Sequence, residues 1–313
     1  MSVDCSIIIV SWNVADLLER CLLSIQAAQQ RAPHLRLETL VVDSASSDDT
    51  LARLTRFDWI QLFAQTENIG YTRGNNLALR HAQGRYLFLL NPDTELLDDA
   101  LSQLIAYLDA HPDVGIIGTH TLNSDGTHQS TRRRFPSRRL AFFESTWLET
   151  LAPAHLLSEF RLAERPDDDT FEVDWVQGSA LLARRAVYEQ IGGLDEGYVM
   201  YFEELDWCKR AKDQAWRVVY LGSARIIHHG GASSEQASTR KHIHFQSSKL
   251  RYFAKVYGLP FAQVLRLFLL FGYAWQLVLE GLKGLLGHKR PLRQQRVKLY
   301  WQVLSSRLQF NHP

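Results

Sequence analysis

Tyr86-Leu87-Phe88-Leu89-Leu90-Asn91-Pro92-Asp93 is the stretch from which the rest of the chain is read. Five consecutive core-type residues predict a strand covered on both faces, as in a parallel sheet flanked by helices. Pro92 lacks the amide proton that a ladder needs, so the strand stops there. The carboxylate of Asp93 then emerges at a strand's carboxyl end, where open α/β sheets bind ligands. An Asn-Pro-Asp turn taken alone is usually plain structure, so its weight depends on what stands at the neighbouring strand ends.

Upstream, Ser6 to Val10 is β-branched and apolar and runs into Ser11-Trp12-Asn13, after which Leu17, Leu18, Cys21, Leu22 and Ile25 recur at helix spacing. Leu37 to Val42 predicts a second strand. It closes in Asp43-Ser44-Ala45-Ser46-Ser47-Asp48-Asp49, whose short polar side chains cap turns and can start a helix carrying Leu51 and Leu54. Trp59 to Phe63 predicts a third strand, Asn68 to Asn76 a loop, and Leu77 to His81 a helix leading back to the strand before Asp93. Alternation of this kind predicts an α/β fold with a mostly parallel sheet. Three of its strands run out at Asn13, Asp43 and Asp93.

Downstream, Val114 to Gly118 with Leu122 predicts another strand, and Asn123-Ser124-Asp125-Gly126 a hairpin turn. The pattern from Ala141 to Asp169 weakens into a helix and an acidic loop. Val173 to Leu182 reads as a strand, followed by a turn at Gly192-Gly193-Leu194-Asp195. Leu205, Cys208 and Ala211 share a helical face, which places Glu203, Glu204 and Asp206 at that helix's N-terminus, where the macrodipole favours acids. Trp216 to Leu221 and Ala224 to Ile227 read as two strands, the second ending at His228-His229-Gly230-Gly231. No internal repeat interrupts this order.

With 46% hydrophobic and 22% charged residues over 313 positions, the chain can bury a sizeable core and is not a disordered segment. Cys5, Cys21 and Cys208 are odd in number and far apart, which excludes a disulfide framework or thiolate zinc site and points to a reducing compartment. The first residues lack the basic region of a secretory leader. No Gly-x-Gly-x-x-Gly follows the first strand, so a nicotinamide-dependent oxidoreductase loses its main support.

The net charge of +1 hides an asymmetry, for Gln236 to Pro313 carries 13 Lys or Arg against the single acid Glu280. Helical patterns run from Ser247 to Tyr257 and from Phe261 to Leu286. The second is long enough to span a bilayer, but Arg266, Gln276, Glu280 and Lys283 interrupt it. With His288-Lys289-Arg290, Arg293, Arg296 and Lys298 behind it, an interfacial segment on an anionic membrane is the expected reading. The continuous apolar content fits lipid better than nucleic acid.

These strand-end groups suit chemistry on a nucleotide sugar. Breaking its glycosidic bond needs charge neutralised on a diphosphate, and Mg2+ or Mn2+ would find a hard oxygen at Asp93 and an imidazole at His228. Glu203, Glu204 and Asp206 offer a general base for an attacking hydroxyl. Asp43 is placed to accept hydrogen bonds from the donor's base or ribose. Each also has a plainer reading: Asp43 as a turn former, the glutamates as dipole partners, and either His228 or His229 as a surface imidazole.

Taken together, the residues resemble family 2 of the inverting glycosyltransferases, with the GT-A fold, in the branch of bacterial rhamnosyltransferases of cell-surface polysaccharide synthesis. The resemblance runs from Ser6 to about Gly258. It rests on Ser6-Ile-Ile-Ile-Val-Ser-Trp-Asn13, Val42-Asp43-Ser44 with Ser47-Asp48, Asn68-Ile-Gly-Tyr-Thr-Arg-Gly-Asn-Asn76 and Leu90-Asn-Pro-Asp93. Asn123-Ser-Asp-Gly126, Arg133-Arg134-Phe135-Pro136, Trp175-Val-Gln-Gly178, Gly193-Leu-Asp-Glu196, Met200-Tyr-Phe-Glu-Glu-Leu-Asp206 and His228-His-Gly-Gly231 with Ser233 complete it.

The resemblance implies that Asp43 meets the nucleobase, that Asp93 occupies the family's DxD position, and that Glu203-Glu204 sits where the family carries its base. It also implies donor-binding places for Asn13, Asn68, Gly70, Arg73, Asn76, Asn91 and Gln177. Two departures stand out: Asn91 replaces the first acid of the DxD, and Glu204 stands where Asp is usual. The expected organisation is a GT-A domain over 1–258, with a nucleotide-sugar half at 1–118 and an acceptor half at 119–258, followed by an amphipathic basic segment at 259–313. The expected activity is inverting, metal-dependent transfer of rhamnose from dTDP-rhamnose to a lipid-linked or glycan hydroxyl, peripherally on the cytoplasmic face of the plasma membrane. The alternative is a non-catalytic sugar-nucleotide or glycan-binding subunit of an assembly complex.

Overall fold

In a computed structural model describing residues 3–230, 238–286 and 289–311, the first apolar run becomes β1 (Cys5–Ser11), every residue of which is buried. The chain continues through α1 (Ala15–Arg31), β2 (Leu37–Asp43), α2 (Thr50–Leu54), β3 (Ile60–Ala64), α3 (Gly70–His81) and β4 (Tyr86–Leu90). After β4 come β5 (Thr94–Leu96), α4 (Ala100–Ala110), β6 (Val114–Leu122), β7 (His128–Gln129) and β8 (Arg132–Arg133). Next are α5 (Leu140–Phe143), a 3-10 turn (Glu149–Leu151), α6 (Ala154–Arg161), β9 (Thr170–Val173), β10 (Trp175–Val176), β11 (Ala180–Arg184), α7 (Arg185–Ile191), α8 (Glu203–Asp213) and β12 (Arg217–His228). Helices α9 (Ser238–Tyr257), α10 (Leu259–Leu285) and α11 (Arg290–Ser305) end it. Gly231, Ser233 and His288, which figure in the sequence reading, lie outside the described residues.

The main sheet runs β3-β2-β1-β4-β11-β6-β12-β5. β1 is parallel to β2 and β4, whereas β11 is antiparallel to both β4 and β6. Alternation along β1 serves two cores: Ile7 and Ile9 join Leu18, Leu22, Leu101 and Leu104 on one face, and Ile8 and Val10 join Ala78, Leu79 and Trp207 on the other. Each fully buried side chain of this kind contributes about 1.5–3 kcal/mol, so β1 and β4, buried throughout, anchor the centre of the sheet. The fold is the mixed α/β, mostly parallel GT-A-like arrangement that the resemblance implies.

Several elements differ from the pattern reading. α3 begins at Gly70 rather than at Leu77. Val173 to Leu182 is three short strands rather than one. The two strands expected around Gly222 are a single β12 whose register shifts between Leu221 and Arg225. Gly222 allows this, since a Cβ there would stand 2.2 Å from the Asp168 backbone. The turn Asn123 to Gly126 closes a hairpin between β6 and β7, with Gly126 at φ 81° and its amide on the Asn123 carbonyl.

Two compact units emerge, one within Met1–Phe135, Glu159–Glu196 and Glu203–Ser233, the other within Pro136–Ser158, Gly197–Phe202 and Ser234–Pro313. α9 therefore groups with α10 and α11. In that second unit Phe142 meets Phe268 edge-on at 5.1 Å, and the buried Lys249 ammonium donates to the Glu144 carbonyl at 2.5 Å. α10 buries Ala262, Leu265, Leu269 and Tyr273, while Val264, Leu267, Phe271, Trp275, Val278 and Leu282 are exposed. By length and composition it is apolar enough to cross a membrane.

Candidate active site

The parallel register sets Ser11 opposite Asp43 at the ends of β1 and β2. Asp43 is fully buried; its Oδ2 accepts the Ser46 amide at 3.0 Å, and its Oδ1 is buried without a partner. A buried bare carboxylate oxygen is costly unless something donates to it. The surrounding loops are tied together rather than mobile by default. Asn13, at φ 53°, accepts the Ser47 amide at 2.7 Å, and its own amide donates to Ser46 Oγ at 2.9 Å. Asn68 Oδ1 accepts from Ser44 Oγ at 3.1 Å and from the Gly70 amide at 2.9 Å, which fixes the start of α3.

Asp93 and His228 are brought together by the sheet edge, because Thr94 of β5 pairs with His228 of β12. Asp93 Oδ1 and His228 Nε2 lie 3.3 Å apart, both side chains being buried. Asn91 Nδ2 is also 3.3 Å from Nε2, and Gln129 Oε1 accepts from His228 Nδ1 at 2.6 Å. His229 turns elsewhere, to Glu95 at 2.7 Å and Ser124 at 2.6 Å, so His228 is the inward imidazole. An oxygen and an unprotonated imidazole nitrogen at this spacing fit two ligands of one Mg2+ or Mn2+. Among the described residues no group of three His, Cys, Asp or Glu could hold a metal, so diphosphate oxygens and water would have to complete the shell.

The backbone enters α8 through Tyr201 and Phe202, both at positive φ, and α8 opens with the acid pair. Glu203 Oε2 and Glu204 Oε2 are buried without partners. Burial, reinforced by the charge on Glu204, pushes the Glu203 carboxyl well above its ordinary range. Burial also raises Glu204, against the amide of Gly178 and those of its own helix start, which hold its ionised form. Tyr71 donates to the Gly178 carbonyl at 3.0 Å. Burial first, and then the charges of Glu203, Glu204 and Asp93, raise this phenol's pKa, so all three carboxylates lie within electrostatic reach of it.

Other residues expected at the site are engaged differently. Asp206 is buried and accepts from Arg210 Nε at 2.8 Å within its own helix. Asn76 brackets Leu194, donating to its carbonyl at 2.8 Å and accepting its amide at 2.9 Å. Arg73 is exposed, 3.7 Å from Glu196, and Gln177 is half-buried with its amide on the Thr131 carbonyl. The pattern reading had no signal for Gln129, whose contact with His228 crosses 99 positions.

The model of glycosyl transferase family 2 matches residues 6–192, well over half of the chain. The protein belongs to this family. It is a glycosyltransferase of glycan synthesis, and a non-catalytic role is set aside. The N-acetylglucosaminyl-diphospho-decaprenol L-rhamnosyltransferase of Mycobacterium tuberculosis is 26% identical over 73% of this chain and 76% of its own. The rhamnosyltransferase WbbL of Escherichia coli is 28% identical over 59% of this chain and 70% of its own. Among solved structures, the mannosyltransferase PcManGT of Pyrobaculum calidifontis in complex with GDP-Man and Mn2+ superposes with TM-score 0.54 at 17% identity, over 98% of this glycosyltransferase and 87% of that chain. GalNAc-T7 with UDP, GalNAc and Mn2+ gives TM-score 0.55 at 13% identity, over 72% of this chain and 43% of that one.

Proposed function

We propose that this glycosyltransferase carries out inverting transfer of rhamnose from dTDP-rhamnose to a hydroxyl of a lipid-linked or glycan acceptor, peripherally at the cytoplasmic face of the plasma membrane. The observation that supports this reading most is geometric: Asp93 Oδ1 and His228 Nε2 lie 3.3 Å apart beside the β5–β12 pairing, an oxygen and an imidazole suited to a divalent cation on a diphosphate. The rhamnosyl donor is supported by the names of two relatives at 26% and 28% identity.

In this reading the bare Asp43 Oδ1 accepts the N3–H of a pyrimidine base, a donor that matches its missing partner. Asn13, Asn68 and Gly70 hold the loops around the nucleotide. A divalent cation, Mg2+ or Mn2+, at Asp93 and His228 would neutralise charge on the departing diphosphate. Glu204 takes the proton of the acceptor hydroxyl. That oxygen bonds to the anomeric carbon as the carbon–oxygen bond to the diphosphate breaks, and single displacement inverts the centre. Glu203 stands beside it, its carboxyl raised by burial and by the Glu204 charge, and Asp206, held by Arg210, supports α8. Residues 1–118 serve the donor, joined at its diphosphate by His228, while the rest of 119–258 serves the acceptor and 259–313 lies on an anionic bilayer.

Thermal-shift screening of nucleotide sugars with and without Mn2+ tests the donor assignment. The largest stabilisation is expected from dTDP-rhamnose with Mn2+, about 2.7 kcal/mol at a hundredfold excess over Kd. A clear preference for a uridine hexose would refute rhamnose and leave the family intact.

A further inference from the structure

The Asn123–Gly126 hairpin lies outside the catalytic reading above, yet a chain of hydrogen bonds leads from it to His228. Asp125 accepts both the Thr127 amide at 3.0 Å and the Thr127 hydroxyl at 2.6 Å. Because that hydroxyl proton is spent on a carboxylate, Thr127 Oγ1 is left to accept, which it does from Asn123 Nδ2 at 3.0 Å. Asn123 then presents its Oδ1, which accepts from Gln129 Nε2 at 2.8 Å. Gln129 in turn presents Oε1 to His228 Nδ1 at 2.6 Å. An amide oxygen cannot donate, so the proton of a neutral His228 sits on Nδ1 and the lone pair on Nε2. That lone pair faces Asp93 Oδ1, with the Asn91 amide as the donor beside it. Ser124 of the same turn holds His229, whose own amide donates to the Asp93 carbonyl at 2.9 Å.

We propose that the hairpin is a positioning device: Asp125, Thr127, Asn123 and Gln129 fix His228 in the Nδ1–H tautomer, keeping Nε2 bare as a ligand for the divalent cation. The inference rests on the metal reading of Asp93 and His228. Asn91 belongs to the same device. An acid at that position would set a second negative oxygen against the bare nitrogen, whereas the amide donates to it until a cation takes its place. Gln129 and Asn123 are half-buried, while Asp125 and Thr127 are exposed to competing water, so the effect concentrates at Gln129.

Two readouts on the metal-free full chain test this: long-range 1H–15N NMR of histidine-labelled protein, and Mn2+ affinity by electron paramagnetic resonance. In the wild type, His228 is expected to show a protonated Nδ1. Gln129→Leu is expected to move the proton to Nε2, where Asp93 can accept it, and to weaken Mn2+ binding about 10–100-fold, the usual cost of losing an outer-shell partner. Gln129→Glu retains an acceptor and is expected to keep the Nδ1–H tautomer, which separates positioning from a general loss of fold. If Gln129→Leu keeps both tautomer and Mn2+ affinity within twofold while His228→Ala loses the ion, the positioning proposal is overturned and the metal reading stands. If His228→Ala binds Mn2+ like the wild type, the metal reading fails and the proposal with it.

Discussion

Glu204 and Glu203 are neighbours at one helix start, and burial raises both; each is also held by helix-start amides, but the Gly178 amide favours ionised Glu204 while the Glu204 charge works against ionised Glu203. A carboxylate steadied by an amide can ionise at working pH and still accept a proton, whereas Glu203 has burial and a like charge against it. Glu204→Gln is therefore expected to bind donor normally and to lose about 10²–10⁴-fold in transfer rate, measured as kcat with saturating donor. The sign of the pH dependence follows from the raised pKa. The base form is lost as pH falls through that raised value, so the acid limb of kcat against pH lies above the ordinary glutamate range near 4.5. An acid limb at or below that range would contradict Glu204 as the base. At this scale the sequence pattern placed the acids at strand ends and a helix start. It did not separate Asp206 from the pair, because the Arg210 fork that engages it depends on which way each side chain turns. Nor did it separate His228, the last residue of β12, from the adjacent His229, though the two point to different partners.

The elements read from local periodicity alone are those whose side-chain pattern matches their burial. β1, α1, β2 and β4 formed where expected, since each needs only a continuous apolar run or one apolar stripe. α3 shows the opposite case. Gly70-Tyr-Thr-Arg-Gly-Asn-Asn76 has low helix propensity and reads as a loop, yet it is helical because its weak helix formers are packing residues. A Cβ at Gly74 would stand 2.8 Å from Val10 Cγ1, and Asn75 and Asn76 are buried with their amides bonded. Tertiary contacts override propensity there. Gly84 makes the same point before β4. It donates to Ser6 Oγ at 2.7 Å, and a Cβ would lie 2.5 Å from the Ser6 backbone nitrogen. Gly84→Ala is expected to destabilise the fold by about 1–3 kcal/mol, read as a lowered midpoint in urea with unchanged m-value. Wild-type stability in that variant would show that β1 can shift to admit the methyl.

For the whole molecule, the proposed bilayer contact rests on the exposed side of α10. Val264, Leu267, Phe271, Trp275, Val278 and Leu282 fall within about 80° of one another around a helix of 3.6 residues per turn, a stripe about 27 Å long. The opposite side, with Leu265 and Leu269, is already buried in its own unit, so truncation after Gly258 would remove core as well as stripe. Substituting Leu267, Phe271 and Val278 together by Gln spares that core. Such a protein is expected to keep its melting temperature and to lose at least about tenfold in flotation with anionic vesicles, since each side chain otherwise gains about 1.5–3 kcal/mol on burial. Binding of the wild type should also fall with added salt, given the 13 basic residues against one acid from Gln236 onward. Undiminished flotation of the triple variant would contradict an interfacial role for α10.

The sequence by itself determined the alternation of strands and helices, the acids at strand ends, the hairpin turn and the basic apolar tail. Periodicity, turn chemistry and charge are properties of neighbours along the chain. Tertiary structure alone decided that His228 rather than His229 faces Asp93, that Asn76 is held by Leu194, and that Gln129 stands behind the imidazole. Those choices depend on pairings across tens of residues, such as Thr94 with His228, where hydrogen-bond direction and burial select among side chains that look equivalent in the sequence.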